Sequence, residues 1–195
     1  TTSRDVLDDM NSIFNSFNDL TKSVVIACNT LQLWLPDIDE KYKKNVKVYT
    51  TFEACEWKFK KYKTKPLWLG TTPLTRVTKK FPTLISLGDE ETQEMVQELI
   101  WRIKMYGDDD IQTAPERVKN DCSTSKQYQK IKINKLKQEI FEMLKKHKVK
   151  NVISGCTELP LVFNKDNENG ITFHDPAEVL AEYIKSQSVS IIFCG

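Results

Sequence analysis

Apolar residues recur at the spacing of one helical face across the first twenty positions: Val6, Leu7, Met10, Ile13, Phe14, Phe17 and Leu20. This predicts an amphipathic helix that ends before residue 23. The pattern then changes to short apolar runs. Segments 23–27 (SVVIA), 46–50 (VKVYT), 66–70 (PLWLG), 83–87 (TLISL) and 150–154 (KNVIS) are predicted strands. Helical stretches lie between most of them, at 52–62 (FEACEWKFKKY), at 90–106, and at 125–148. In the second of these Met95, Leu99 and Ile103 fall on one stripe. Strands alternating with helices imply parallel pairing through right-handed crossovers, hence an α/β fold. The polar stretch 107–125 is the most loop-like region, and a division between lobes falls inside 105–125 or near 65–80.

Composition narrows the class. A chain of 195 residues with 39% apolar and 29% charged residues has the make-up of a globular domain, or of two small lobes. Its 29 Lys and Arg against 27 Asp and Glu leave a formal charge of only +2. That is too balanced for a nucleic-acid binder. Two local basic runs, KFKKYKTK (58–65) and KKHKVK (145–150), read as solvated faces. No stretch approaches the roughly 20 apolar residues of a membrane helix, and no signal-peptide pattern opens the chain. A cytoplasmic protein is the expectation. The five cysteines, Cys28, Cys55, Cys122, Cys156 and Cys194, are odd in number and never paired as C-x-x-C. They form neither a disulfide framework nor a zinc pattern, so no metal is expected. Cys55 reads as a packed helix residue and Cys122 as a loop residue, while Trp34, Trp57, Trp68 and Trp101 read as core or interface anchors.

Two segments echo each other. In VVIACNT (24–30) and NVISGCTE (151–158), apolar β-branched residues lead through a small residue to Cys, with Thr next or one position later. Each cysteine is thereby expected at the carboxyl end of a parallel strand, at the start of the next helix, on the edge where open α/β sheets bind ligands. A helix N-terminus there would lower the thiol pKa. Two thiols on opposite sides of one pocket suit proton exchange at a carbon, one accepting a proton and the other returning one to the opposite face. Asn29, Thr30 and Thr157 are donors placed to hold the resulting negative charge. On spacing alone, two packed structural cysteines explain the same pattern.

The segments ACNT (27–30) and GCTELPLV (155–162) strongly resemble the aspartate/glutamate racemase superfamily, aspartate racemases above all. LWLGTT (67–72) looks like that family's mid-chain Leu-Gly-Thr segment, and ELIWRIKMYG (98–107) and HDPAEVLAEYI (174–184) sit where its later helices do. The resemblance spans about residues 5–187. It implies two pseudo-symmetric α/β lobes with parallel central sheets flanked by helices and the active site between them. The first lobe would be residues 1–70 with 160–195, the second 71–159. It also implies cofactor-independent, two-base racemisation of a small acidic amino acid, aspartate or glutamate, commonly by a homodimer. Cys28 and Cys156 would be the acid–base pair. Asn29, Thr30, Thr71 and Thr157 would bind the substrate, and Glu158 would adjoin the thiol. Lys104 lies near a helix position that contacts the distal carboxylate in some members.

The match has departures. The family opens with a glycine-rich strand and loop, whereas this sequence enters the pattern at the helix before Cys28. Gln32 stands where the family usually carries His, and Pro73 and Leu74 follow Thr71-Thr72 where a further Thr is usual, with Thr75 close by. The segment SVSIIFCG (188–195) reads as a terminal strand that fills the first strand's place or adds to an edge, with Cys194 near its end. A racemase fold without turnover, serving as a binding or interaction module, is the competing reading.

Overall fold

The computed structural model describes residues 3–17, 20–78, 80–86, 90–107, 126–163 and 170–187. Helix α1 (Ser3–Phe17) opens the chain and strand β1 (Ser23–Val25) follows. A 3-10 helix (Thr30–Asp37) and the short α2 (Glu40–Lys43) lead to β2 (Lys47–Tyr49) and α3 (Thr51–Phe59). Next come β3 (Leu67–Leu69), α4 (Thr72–Thr78), β4 (Ile85–Ser86) and α5 (Glu90–Gly107). The described chain ends with α6 (Lys126–Lys146), β5 (Asn151–Ser154), a 3-10 turn (Leu159–Leu161), β6 (Thr172–His174) and α7 (Pro176–Ser186).

All pairing among the described strands is parallel, as the alternation of strands and helices predicts. Strands β1 and β2 form one two-stranded sheet, and the second sheet runs β4-β3-β5-β6. At its centre Leu67 lies opposite Val152 and Trp68 opposite Ile153. Because side chains alternate along a strand, the larger sheet feeds two cores. Leu67, Leu69, Val152 and Phe173 pack with Val96, Leu99 and Ile103 of α5 and with Leu136, Ile140 and Leu144 of α6. Trp68 and Ile153 face the other way, against Phe52, Cys55 and Phe59 of α3 and Val179 and Leu180 of α7. A third cluster, Met10, Phe14, Ile26 and Ile38, seats α1 on the smaller sheet. The architecture is an α/β fold with parallel sheets flanked by helices.

Several elements differ from the sequence expectation. The strands are shorter than the apolar runs; within the described part of 83–87 only Ile85 and Ser86 are strand. Helix α3 stops at Phe59 rather than 62. Strand β6 and helices α2 and α4 were not expected; β6 extends the sheet by pairing with β5. Helix α7 starts on two local signals: Asp175 Oδ1 accepts from the Ala177 N–H at 2.8 Å, and Pro176 occupies the first turn. Trp68 is fully buried as expected of a core anchor, whereas Trp57 is 42% exposed. The predicted strand 188–195 with Cys194, the loop 108–125 and Cys122 lie outside the described residues.

Candidate active site

The site is built where β1, β3 and β5 end. Strand β1 is left at Val25, and Ile26 still donates to Tyr49 O at 3.4 Å. The chain then exposes Cys28 and buries Asn29. Thr30, half-buried, opens the 3-10 helix. Asn29 is held by a buried network. Thr51 Oγ1 donates to Asn29 Oδ1 at 2.6 Å, and Gln32 Nε2 lies 2.9 Å from Thr51 Oγ1 and donates to Ile26 O at 3.0 Å. The opposite end of Asn29 reaches the other sheet, where Nδ2 donates to Gly155 O at 3.1 Å. Asn29 follows Cys28 and Gly155 precedes Cys156, so this one bond sets the two echoed motifs against each other. Gln32, at the position where the family usually has His, is a buried member of that clamp.

The second motif is bonded within itself. The Cys156 thiol, 7% exposed, donates to Glu158 Oε2 at 2.7 Å, and Thr157 Oγ1 donates to the same oxygen at 3.1 Å. Lys104 Nζ, from the last turns of α5, lies 3.5 Å from Glu158 Oε1. Burial, followed by the hydrogen bond and charge of Glu158, pushes the Cys156 thiol up to about 12. Burial alone would raise the Glu158 carboxyl, but the Cys156 thiol, the Lys104 ammonium and nearby donors outweigh it and hold the group below its usual value. The expected lowering of a thiol pKa at a helix N-terminus is therefore overturned at Cys156. The element that follows is a three-residue 3-10 turn with little dipole to offer, and the nearest charge is negative.

Strand β3 supplies the third wall. Gly155 N donates to Leu69 O at 2.6 Å, which puts Gly70-Thr71 beside Gly155-Cys156. A Cβ at Gly70 would lie 2.5 Å from Trp68 Nε1, and one at Gly155 would overlap the same indole. Both positions require glycine because the ring passes beneath them. Gln93, in the first turn of α5, is buried and donates from Nε2 to Gly70 O at 2.9 Å. Trp68 Nε1, Thr71 Oγ1 and Gln93 Oε1 are buried without a hydrogen-bond partner among the described residues. Buried polar atoms seldom lack partners. Three of them around Gly70 mark a place suited to a polar ligand.

The structure thus groups Asn29, Cys156, Thr157, Glu158 and Lys104, and sets Thr71 just past the end of the neighbouring strand. Cys28 lies on the exposed side of the clamp. Sequence reasoning missed Thr51 and Gln93. Gln93 carried a signal, since it lies three residues before Val96 on the buried side of α5. Among the described residues no three His, Cys, Asp or Glu side chains converge as metal ligands. No described helix is long and apolar enough to cross a membrane.

Solved structures share this arrangement of elements. A protein from Yersinia pestis assigned as an Asp/Glu racemase aligns over 95% of this chain and 74% of its own, with a TM-score of 0.65 and 16% identity. The aspartate racemase of Picrophilus torridus aligns over 93% and 69%, with a TM-score of 0.60 and 18% identity. The chain has the aspartate/glutamate racemase fold. The glutamate racemase of Francisella tularensis, solved with D-glutamate, aligns over 96% of this chain and 65% of its own at a TM-score of 0.58 and 15% identity. No family model matches the chain, and no curated protein matches it at a significant level.

Proposed function

We propose that the protein is a cofactor-independent racemase of an acidic amino acid, aspartate or glutamate, working by proton transfer between two cysteines. The observation that carries this reading is the hydrogen bond from Asn29 to Gly155 O, which joins the two cysteine motifs across the carboxyl ends of the two sheets. The racemase fold supports it.

Roles follow from environment. Buried beside a carboxylate, the Cys156 thiol keeps its proton near neutral pH and is the donor in the resting form. Exposed Cys28 acts as the base on the opposite face. Cys28 sulfur takes the α-proton, its electron pair passes to the α-carbon and carboxylate, and Cys156 delivers its proton to the other face. Cys28 is then a thiol and Cys156 a thiolate, the state required for the opposite enantiomer. Asn29 retains one amide hydrogen beyond its bond to Gly155 and, with Thr30, Thr71 and Thr157, holds the substrate. Thr71 Oγ1 and Gln93 Oε1 are suited to its ammonium group, since both can accept. Lys104 completes the acidic end by offsetting the charge of Glu158.

The test is incubation with L-aspartate, and separately L-glutamate, with no cofactor added, followed by chiral chromatography. Conversion of either toward an equal mixture of enantiomers is the expected result. Folded protein that binds one of these acids calorimetrically but converts neither would overturn the reading in favour of a binding module.

A further inference from the structure

The two basic runs play no part in this site, yet the fold brings them together. KFKKYKTK (58–65) leads into β3 and KKHKVK (145–150) leads into β5. Those strands are parallel neighbours, with Leu67 opposite Val152, so both lead-in segments emerge at the amino-terminal edge of the sheet. There they border a cavity of about 620 Å³. Lys65, His147, Lys148 and Lys150 contribute to its wall, together with the apolar Leu67, Ile85, Met143 and Val149. Among the described residues no Asp or Glu lines it. Among the described residues, none of the three lysines is in an ion pair.

Lys148 adds an independent observation. Its φ is 54°, the left-handed region, and it is the only non-glycine residue so placed among those described. Lys148 N donates to Lys145 O and Val149 N to Leu144 O, both at 2.9 Å, closing helix α6. Glycine is the usual occupant of such a position. Lysine there bears an unfavourable backbone conformation and puts a cation on the cavity wall.

We propose that this cavity binds an amphipathic organic anion: a carboxylate, sulfonate or phosphate head held by Lys65, Lys148 and Lys150, over an apolar or aromatic body laid against Leu67, Ile85 and Met143. The volume falls within the range of small-molecule sites, roughly 300–1,000 Å³. The site is separate from the cysteine edge. Lys150 and Cys156 flank β5 at opposite ends, six residues and about 20 Å apart at the rise of a strand. The proposal stands whether or not the racemase reading holds.

The probe is 8-anilinonaphthalene-1-sulfonate, an aromatic anion, titrated into the full chain at low salt and followed by fluorescence. Its uncharged relative N-phenyl-1-naphthylamine is the control. Saturation at one site is expected, with affinity falling about tenfold in the combined variant Lys65→Gln, Lys148→Gly, Lys150→Gln. Lys148→Gly alone should weaken sulfonate binding while relieving the left-handed backbone, so its effect does not come from unfolding. Binding of the neutral dye should not change in either variant. Absence of saturable sulfonate binding, or equal affinity in the wild type and both variants, would overturn the proposal.

Discussion

At the scale of single residues, the pair Cys156 and Glu158 shows how local charge decides chemistry. A thiol at the mouth of a parallel sheet is often an activated nucleophile. Here the carboxylate two residues on accepts a hydrogen bond from the thiol, and burial reinforces the protonated form. Replacing Glu158 with Gln removes the negative charge that opposes thiolate formation. The Glu158→Gln variant is therefore expected to alkylate Cys156 with iodoacetamide several-fold faster at pH 9 than the wild type does. Peptide mapping by mass spectrometry checks this, with exposed Cys28 labelled first in both proteins. Equal rates at Cys156 would show that burial alone holds the thiol. The two cysteines themselves were legible because each ends an apolar run. Thr51 was not, because Thr50 has the same composition signal and is the residue that caps α3, accepting from Glu53 N at 3.2 Å.

At the scale of elements, the close approach of the chain ends leaving β3 and β5 depends on two glycines and one indole. Trp68 is stacked on Phe52, with ring centroids 4.8 Å apart, and Phe52 on Phe81 at 4.6 Å, so the ring has no room to retreat. Gly155→Ala should destabilise the fold by about 3 kcal/mol, the upper range of overpacking costs. Trp68→Leu in the same chain should recover part of that loss. A urea melt of the single and double variants is the check, and a neutral Gly155→Ala would show that the indole moves aside. Element length governed what the pattern revealed. Helices α5 (Glu90–Gly107) and α6 (Lys126–Lys146) carry several turns of apolar stripe and match expectation to within two residues at each end. Strand β6 (Thr172–His174) has three residues and α2 (Glu40–Lys43) four, too few to display a period. Helix α4 was marked by local chemistry instead, with Pro73 in the first turn of Thr72–Thr78.

At the scale of the whole molecule, two buried thiols tie stability to alkaline pH. Burial holds both Cys55 and Cys156 above the ordinary thiol value of 9.0. The unfolded chain releases these protons above pH 9 while the folded chain keeps them. The unfolded state then binds fewer protons, and unfolding becomes easier as pH rises. The contribution is fully present below pH 9 and declines above it, by about 1.4 kcal/mol per pH unit for each thiol. Cys55→Ala should remove one thiol's share of that slope in urea melts between pH 8 and 10.5; an unchanged slope would contradict the assignment. The parallel α/β plan followed from alternating periods. What spacing did not contain was the Asn29–Gly155 contact across 126 positions of chain, or the meeting of two basic runs at the far edge. Both depend on which strands become neighbours.

Whether two thiols share one α-carbon can be read by proton NMR in D2O. With L-aspartate or L-glutamate as substrate, the wild type should exchange the α-proton for deuterium while forming the opposite enantiomer. Cys28→Ala and Cys156→Ala should each slow that conversion by at least about a thousandfold, the upper part of the range for losing a positioned acid or base. Either variant converting substrate at the rate of the wild type would rule out a two-thiol mechanism.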